Sequence, residues 1–110
     1  MRTIPLSFPN RDGEILDGVI EVGTVPIQAW AVFAHCFSCD KTSLAAVRIS
    51  RALAARGIGV LRFDFTGLGK SEGQFGHGLS HDAQDIADAV GAMAAAGRPV
   101  RLLVGHSFGG

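Results

Sequence analysis

The sequence predicts an α/β fold with a mostly parallel sheet. Three observations carry that prediction. Strand-like apolar runs alternate with two segments of helical spacing. The later runs are apolar on nearly every residue, as strands covered on both faces are. Glycine-rich stretches punctuate the joins, where regular structure stops.

Taken in order, residues 3–8 alternate, with Ile4, Leu6 and Phe8 on one side, and predict a half-buried strand. Asn10-Arg11-Asp12-Gly13 is turn chemistry, because Gly takes positive φ and Asn and Asp tolerate it. Leu16, Gly18, Ile20 and Val22 alternate again, so residues 1–22 read as an antiparallel hairpin. Residues 28–110 then read as a parallel βαβαβ run. "AWAVFAH" (29–35) predicts its first buried strand. "SLAAVRISRALAAR" (43–56) predicts a helix with Leu44, Val47, Ile49 and Leu53 inward, Ser43 or Thr42 as N-cap and Gly57 just past its end. "IGVLRFDF" (58–65) predicts the second buried strand. Gly67, Gly69, Gly73, Gly76 and Gly78 predict an irregular loop after it. Ser80 to Ala96 predicts a second helix, N-capped by Ser80, with Ala83, Ile86, Ala87, Val90, Met93 and Ala94 inward. Asp82 and Asp85 complement the positive end of its dipole. Gly97 and Pro99 end it, and "VRLLV" (100–104) predicts the third buried strand.

Bulk properties exclude several functions. A chain of 110 residues makes one domain at most. Lys plus Arg is 10 and Asp plus Glu is 10, so no charge excess favours nucleic acid or an anionic membrane. The N-terminus has no apolar stretch of signal-peptide length, and no run approaches the ~20 residues of a bilayer span. A cytoplasmic protein is the expectation. Cys36 and Cys39 are too close together to staple distant elements, which does not suggest a secreted disulfide scaffold.

The chemistry concentrates at the end of the chain. "LLVGHSFGG" carries Gly105-His106-Ser107-Phe108-Gly109, a G-x-S-x-G string directly after a buried strand. The string alone is weak evidence, but the third strand of a βαβαβ run is where a sharp turn presents a nucleophilic Ser. The structural alternative is an ordinary Gly-Ser turn. His106 is a poor base, since neighbouring side chains in a sharp turn point apart.

The chain resembles the N-terminal part of an α/β-hydrolase fold serine hydrolase, with the antiparallel hairpin followed by parallel βαβαβ up to the nucleophile elbow. The resemblance rests on His35-Cys36-Phe37, on Asp64-Phe65-Thr66-Gly67-Leu68-Gly69-Lys70-Ser71-Glu72-Gly73 and on Gly105-His106-Ser107-Phe108-Gly109, in that order. Within the family, "HCFSCDKT" and "RFDFTGLGKSEGQF" are most similar to the hydrolase half of bacterial α/β-hydrolase/OsmC-like fusion proteins, so an OsmC-like C-terminal domain is the partner expected in an intact parent. The resemblance implies Ser107 as nucleophile and the backbone N–H groups of Phe37 and Phe108 as oxyanion hole. Cys36 stands where many relatives have Gly. The substrate implied is a small-molecule ester, thioester or amide, and no cofactor or metal is implied. In the family order the triad acid and His follow the nucleophile, so a chain ending at Gly110 is expected to be shortened and inactive.

Other motifs have competing readings. Cys36-Phe37-Ser38-Cys39 is a C-x-x-C, which keeps a thiol redox protein or a non-catalytic fragment as the alternative. His35 and Asp64 read as loop braces, since Asp64 precedes Ser107 in the chain. Gly67, Gly69 and Gly73 lack the spacing of a phosphate-binding loop. His77 and His81 show no third metal ligand at suitable spacing.

Overall fold

The computed structural model describes residues 1–35, 41–76 and 78–105. β1 (Arg2–Pro9) and β2 (Ile15–Val22) pair antiparallel from Arg2↔Val22 to Pro9↔Ile15. Asn10 holds the turn between them, its Oδ1 accepting from the N–H groups of Asp12 and Glu14. β3 (Ala29–Ala34), β4 (Ile58–Phe63) and β5 (Val100–Gly105) follow, with β3 parallel to both β4 and β5. α1 (Leu44–Ala54) lies between β3 and β4 in the chain, and α2 (Leu79–Ala95) between β4 and β5. The sheet order is β1-β2-β4-β3-β5, with β2 antiparallel to β4. The hairpin-plus-βαβαβ order that the sequence predicts is therefore observed.

Side-chain parity splits the core into two layers. Phe8, Leu16, Ile20, Val32, Leu61 and Phe63 pack with Ala89 and Met93 of α2. Ala31, Phe33 and Val60 pack with Ala46 of α1 on the opposite face. Each Leu- or Phe-sized side chain so covered contributes about 1.5–3 kcal/mol.

The helices keep part of the predicted faces, with Ile49 and Leu53 of α1 and Ile86, Val90 and Met93 of α2 packed against the core, and depart from the rest. α1 is N-capped by Ser43, whose side chain accepts from the N–H of Ala46. Its buried stripe is Ala46, Ser50 and Ala54, while Leu44 is exposed. The end of α1 lies close to Gly23, where a Cβ would fall 2.2 Å from the Ala54 carbonyl oxygen, so position 23 needs glycine. α2 starts one residue early and is capped by Gly78 at φ +95°, without a side-chain cap bond. Ser80 is inside the first turn rather than the N-cap. Asp82, Asp85, Ala89 and Met93 are buried, and Ala83, Ala87 and Ala94 are exposed. The inward face is thus rotated to carry two carboxylates, whose partners decide the outcome.

Both later strands also need correction. β4 ends at Phe63 rather than Phe65, and a turn follows in which the N–H of Leu68 donates to the Phe65 carbonyl. β5 is not a fully buried strand: Leu102 and Leu103 are 42% and 65% exposed. It stands at the end of the strand order, and among the described residues its hydrogen-bonded neighbour is β3 alone. Among the described residues, no helix is long and apolar enough to cross a membrane.

An apolar edge strand is a template for pairing with another chain. The 110-residue chain expressed by itself is expected to self-associate and to bind ANS, and Leu103→Lys is expected to shift it towards monomer in sedimentation. A wild-type chain that sediments as a monomer with a sharp cooperative thermal transition contradicts this.

Candidate active site at the strand ends

β3, β4 and β5 run in the same direction, so the loops leaving their C-terminal ends share one edge of the sheet. Phe33 pairs with Arg62, and Ala34 pairs with Gly105. Adjacent strands are about 4.8 Å apart, so the three segments depart within about 10 Å of one another. Ligands of open α/β sheets sit in the crevice at such strand ends. The predicted site residues Ser107, Phe37 and Phe108 lie outside the described residues, as do Cys36, Cys39, His77 and His106.

What the structure describes is the frame around those segments. Residues 60 and 62 of β4 face α1, while 61, 63 and 65 enter the other layer. Asp64 follows Arg62 by two and is fully buried. A buried carboxylate costs several kcal/mol unless it is paired and hydrogen-bonded. Asp64 Oδ1 accepts the N–H of Lys41 at 2.8 Å, and Oδ2 accepts Lys41 Nζ at 2.7 Å and the N–H of Lys70 at 3.0 Å. His35 is also buried, with Nε2 3.8 Å from Asp64 Oδ1 and its ring edge-on to Phe65 at 5.1 Å. Gly69 cannot carry a side chain, because a Cβ there would lie 2.3 Å from Asp64 Oδ2 at a φ of +52°. Of the loop glycines, Gly69 packs against the Asp64 carboxylate, while Gly67 packs against the backbone of Gln74 and Phe75 and Gly73 against Glu14 and Thr66. Asp64 acts as the brace of the glycine-rich loop that the sequence predicts, while the loop that His35 is expected to brace lies outside the described residues.

Lys41, Arg62 and Glu21 carry no role in the sequence reading. Lys41 Nζ also pairs with Asp17. Arg62 donates to the Lys41 carbonyl and to the fully buried Glu21, which accepts from the Thr3 hydroxyl as well. The available signal was a charge inside each apolar run, Arg62 in "GVLRF" and Glu21 in "VIEV": a charge in a covered strand needs a partner. Ser71 closes the frame, its hydroxyl donating to the Asp64 carbonyl and accepting from the N–H of Asp17.

A second buried carboxylate braces the far side of the loop. Asp85 accepts from the N–H and hydroxyl of Thr66 at 2.8 and 2.9 Å, and from Arg11 at 2.8 Å. Asn10 Nδ2 donates to the Thr66 hydroxyl, tying in the hairpin turn. His81, Asp82 and Asp85 bring potential ligand atoms within 4.8 Å of one another, a trio without His77 that the sequence reading did not single out. The Arg11 guanidinium, in contact with Asp85, Asp88 and His81 Nε2, supplies positive charge there. Arg11 also lines an open groove with Ser80, His81 and Gln84.

These pairs give two expectations. Burial opposes the charge on Lys41, but Asp17 and Asp64 outweigh it and raise its pKa above the ordinary 10.5. A raised pKa adds stability that is complete below the unfolded value and lost as pH rises through the folded one. Thermal stability should therefore fall above about pH 10.5, and Lys41→Met should flatten that alkaline limb; an unchanged limb contradicts the pairing. Asp85→Asn should cost about 3 kcal/mol in denaturant unfolding, since it leaves Arg11 and Thr66 short of acceptors. A cost under about 0.5 kcal/mol, typical of surface changes, contradicts the bracing role.

The same architecture recurs in known proteins. The sequence profile of the alpha/beta hydrolase family matches residues 31–110. No curated protein matches the chain. Among solved structures, the esterase domain of a Rhodothermus marinus protein is 38% identical with a TM-score of 0.77, over 99% of this chain and 42% of that one. XC6422 from Xanthomonas campestris, an α/β serine hydrolase without a lid, is 26% identical with a TM-score of 0.83, over 99% of this chain and 52% of that one. The Pyrococcus furiosus esterase Pf2001 has a TM-score of 0.85 at 19% identity, over 98% of this chain and 44% of that one, a likeness of fold alone. The chain thus spans about half the length, or less, of these structures. Its hairpin, its strand order and its covered parallel strands fit the N-terminal portion of that fold, and the chain belongs to the alpha/beta hydrolase family.

Proposed function

We propose that this chain supplies the nucleophile and oxyanion hole of a serine hydrolase acting on small-molecule esters. The observation that carries the reading is the pairing of Ala34 with Gly105. Phe37, three residues past Ala34, and Ser107, two residues past Gly105, leave from adjacent strand ends. A nucleophile and an oxyanion donor must converge on one carbonyl, and that register starts both segments side by side.

In this reading Ser107 Oγ attacks the carbonyl carbon and passes its proton to a His. The N–H groups of Phe37 and Phe108 hold the oxyanion, each worth about 3 kcal/mol of barrier. The proton then goes to the departing alkoxide, leaving an acyl-enzyme that water cleaves by the same steps. In the order of such a triad the acid and the base follow Ser107, so residues 1–110 would need later residues for turnover. The 38% identity to an esterase domain supports an ester over an amide. An OsmC-like domain after the hydrolase belongs to the same proposal, on the strength of "HCFSCDKT" and "RFDFTGLGKSEGQF".

Labelling by a fluorophosphonate tests the reading. The protein from the complete reading frame should label at Ser107 and hydrolyse a p-nitrophenyl ester. Ser107→Ala should abolish labelling and lower kcat by roughly 10⁴-fold or more. The 110-residue chain should not label. Rapid labelling of that short chain would assign the base to His35, His77, His81 or His106, and labelling that survives Ser107→Ala would remove Ser107 from the mechanism.

A further inference from the structure

We propose that the edge of the sheet opposite the C-terminal strand ends is a docking surface for an anionic lipid bilayer. Equal numbers of acidic and basic residues argue against such a surface only where the charges are mixed, and here they are sorted. β3, β4 and β5 begin at this edge. So does β1, which pairs antiparallel with β2, itself antiparallel to β4. Arg2 opens β1, Arg56 precedes β4, and Arg98 and Arg101 flank the start of β5. Arg51, in the last turn of α1, adds a fifth. Arg98 is half-buried, its guanidinium 5.3 Å from the Trp30 ring centre, and the other four are exposed.

Residues 1–2, 23–28, 55–57 and 96–99 lie at this edge and hold no Asp or Glu. Residues 23–28 and 55–57 are joined, since the N–H of Gln28 donates to the Gly57 carbonyl at 2.7 Å. Glu21, two residues before Gly23, is fully buried and paired with Arg62. The carboxylates with exposed surface among the described residues, Asp12, Glu14, Asp17, Glu72 and Asp88, gather at the other end. Asp12 and Glu14 belong to the hairpin turn, Glu72 accepts from the N–H of Ile15 beside it, and Asp88 accepts from the N–H of Arg11. β2 is eight residues long, so the two ends are about 26 Å apart. Charges beyond about 8 Å are largely screened at physiological salt, so the acidic end does not cancel the basic one.

Shape and polarity choose the partner. From β1 to β5 the arginines spread over four strand spacings, about 19 Å. Met1 and Val25 are exposed at the same edge, 53% and 42%. Spread basic charge with apolar side chains beside it suits a membrane interface, where arginines meet anionic headgroups and apolar tips enter the acyl boundary. A nucleic acid would use the arginines and leave Met1 and Val25 without a role. Docked this way, the strand ends proposed to carry Ser107 face water, which fits a small soluble ester as substrate.

Co-sedimentation of the protein from the complete reading frame with vesicles of phosphatidylcholine carrying about 30% phosphatidylserine tests this. That protein should bind them, should not bind phosphatidylcholine alone, and should release between about 0.05 and about 0.5 M salt. Arg56→Gln and Arg101→Gln should each weaken binding about fivefold, and together about 25-fold, at the parental thermal midpoint. Lys70→Gln, at an exposed lysine of the acidic end, should leave binding within about twofold. No binding to the anionic vesicles at low salt overturns the proposal, as does binding that the paired arginine substitution leaves unchanged. Tighter binding to duplex DNA or to polyglutamate than to the vesicles at equal salt, lost in the same pair, assigns the edge to another partner and overturns it too. Salt-sensitive self-association that replaces vesicle binding, with the acidic end of one copy on the basic edge of the next, does the same.

Discussion

A carboxylate at the end of a covered parallel strand must be neutralised, and how Asp64 is neutralised determines much of what surrounds it. Lys41 supplies the opposite charge, and it can do so only if the chain after β3 returns to the end of β4. Gly69 must lack a side chain so that the next loop can close over the carboxylate. Ser71 must reach back to the Asp64 carbonyl. Removing one partner of such a pair costs about 3–5 kcal/mol, a large share of the stability of a domain this size.

The same device recurs across the loop region. Glu21 is buried against Arg62 within the sheet, and Asp85 of α2 is buried against Thr66 and Arg11. Together they lock the hairpin turn, the glycine-rich loop and the end of β4 to the strand ends. Rigid scaffolds with short, anchored loops are what a preorganised oxyanion hole needs, since its donors must be aimed before charge develops. Stability and the proposed chemistry make the same demand here, which explains the density of buried charge in so short a chain.

Periodicity revealed the hairpin, all three parallel strands and both helices, because each follows from local patterning. What it missed depended on tertiary partners. Asp82 and Asp85 look like dipole-complementing surface residues until Thr66 and Arg11 are placed beside Asp85, and their burial rotates the predicted face of α2. Leu44 looks inward on the helix wheel, yet it is exposed, and the fully buried stripe of α1 is Ala46, Ser50 and Ala54. "VRLLV" looks buried, but its place in the strand order leaves Leu102 and Leu103 exposed. The frame of the candidate site was half legible: His35 and Asp64 were read as braces, and Lys41 was not, since a single lysine after an apolar strand has no periodic signature. Ser107, Phe37 and Phe108 were legible only as motif residues in family order.

The proposed reaction requires the segments leaving β3 and β5 to converge on one acyl carbon. A crystal structure of the protein from the complete reading frame, carrying a covalent phosphonate, tests this most directly. Phosphorus should be bonded to Ser107 Oγ, with a phosphonyl oxygen about 2.7–3.1 Å from the backbone nitrogens of both Phe37 and Phe108. A phosphonate on any other residue, or an oxygen turned away from both nitrogens, would contradict it.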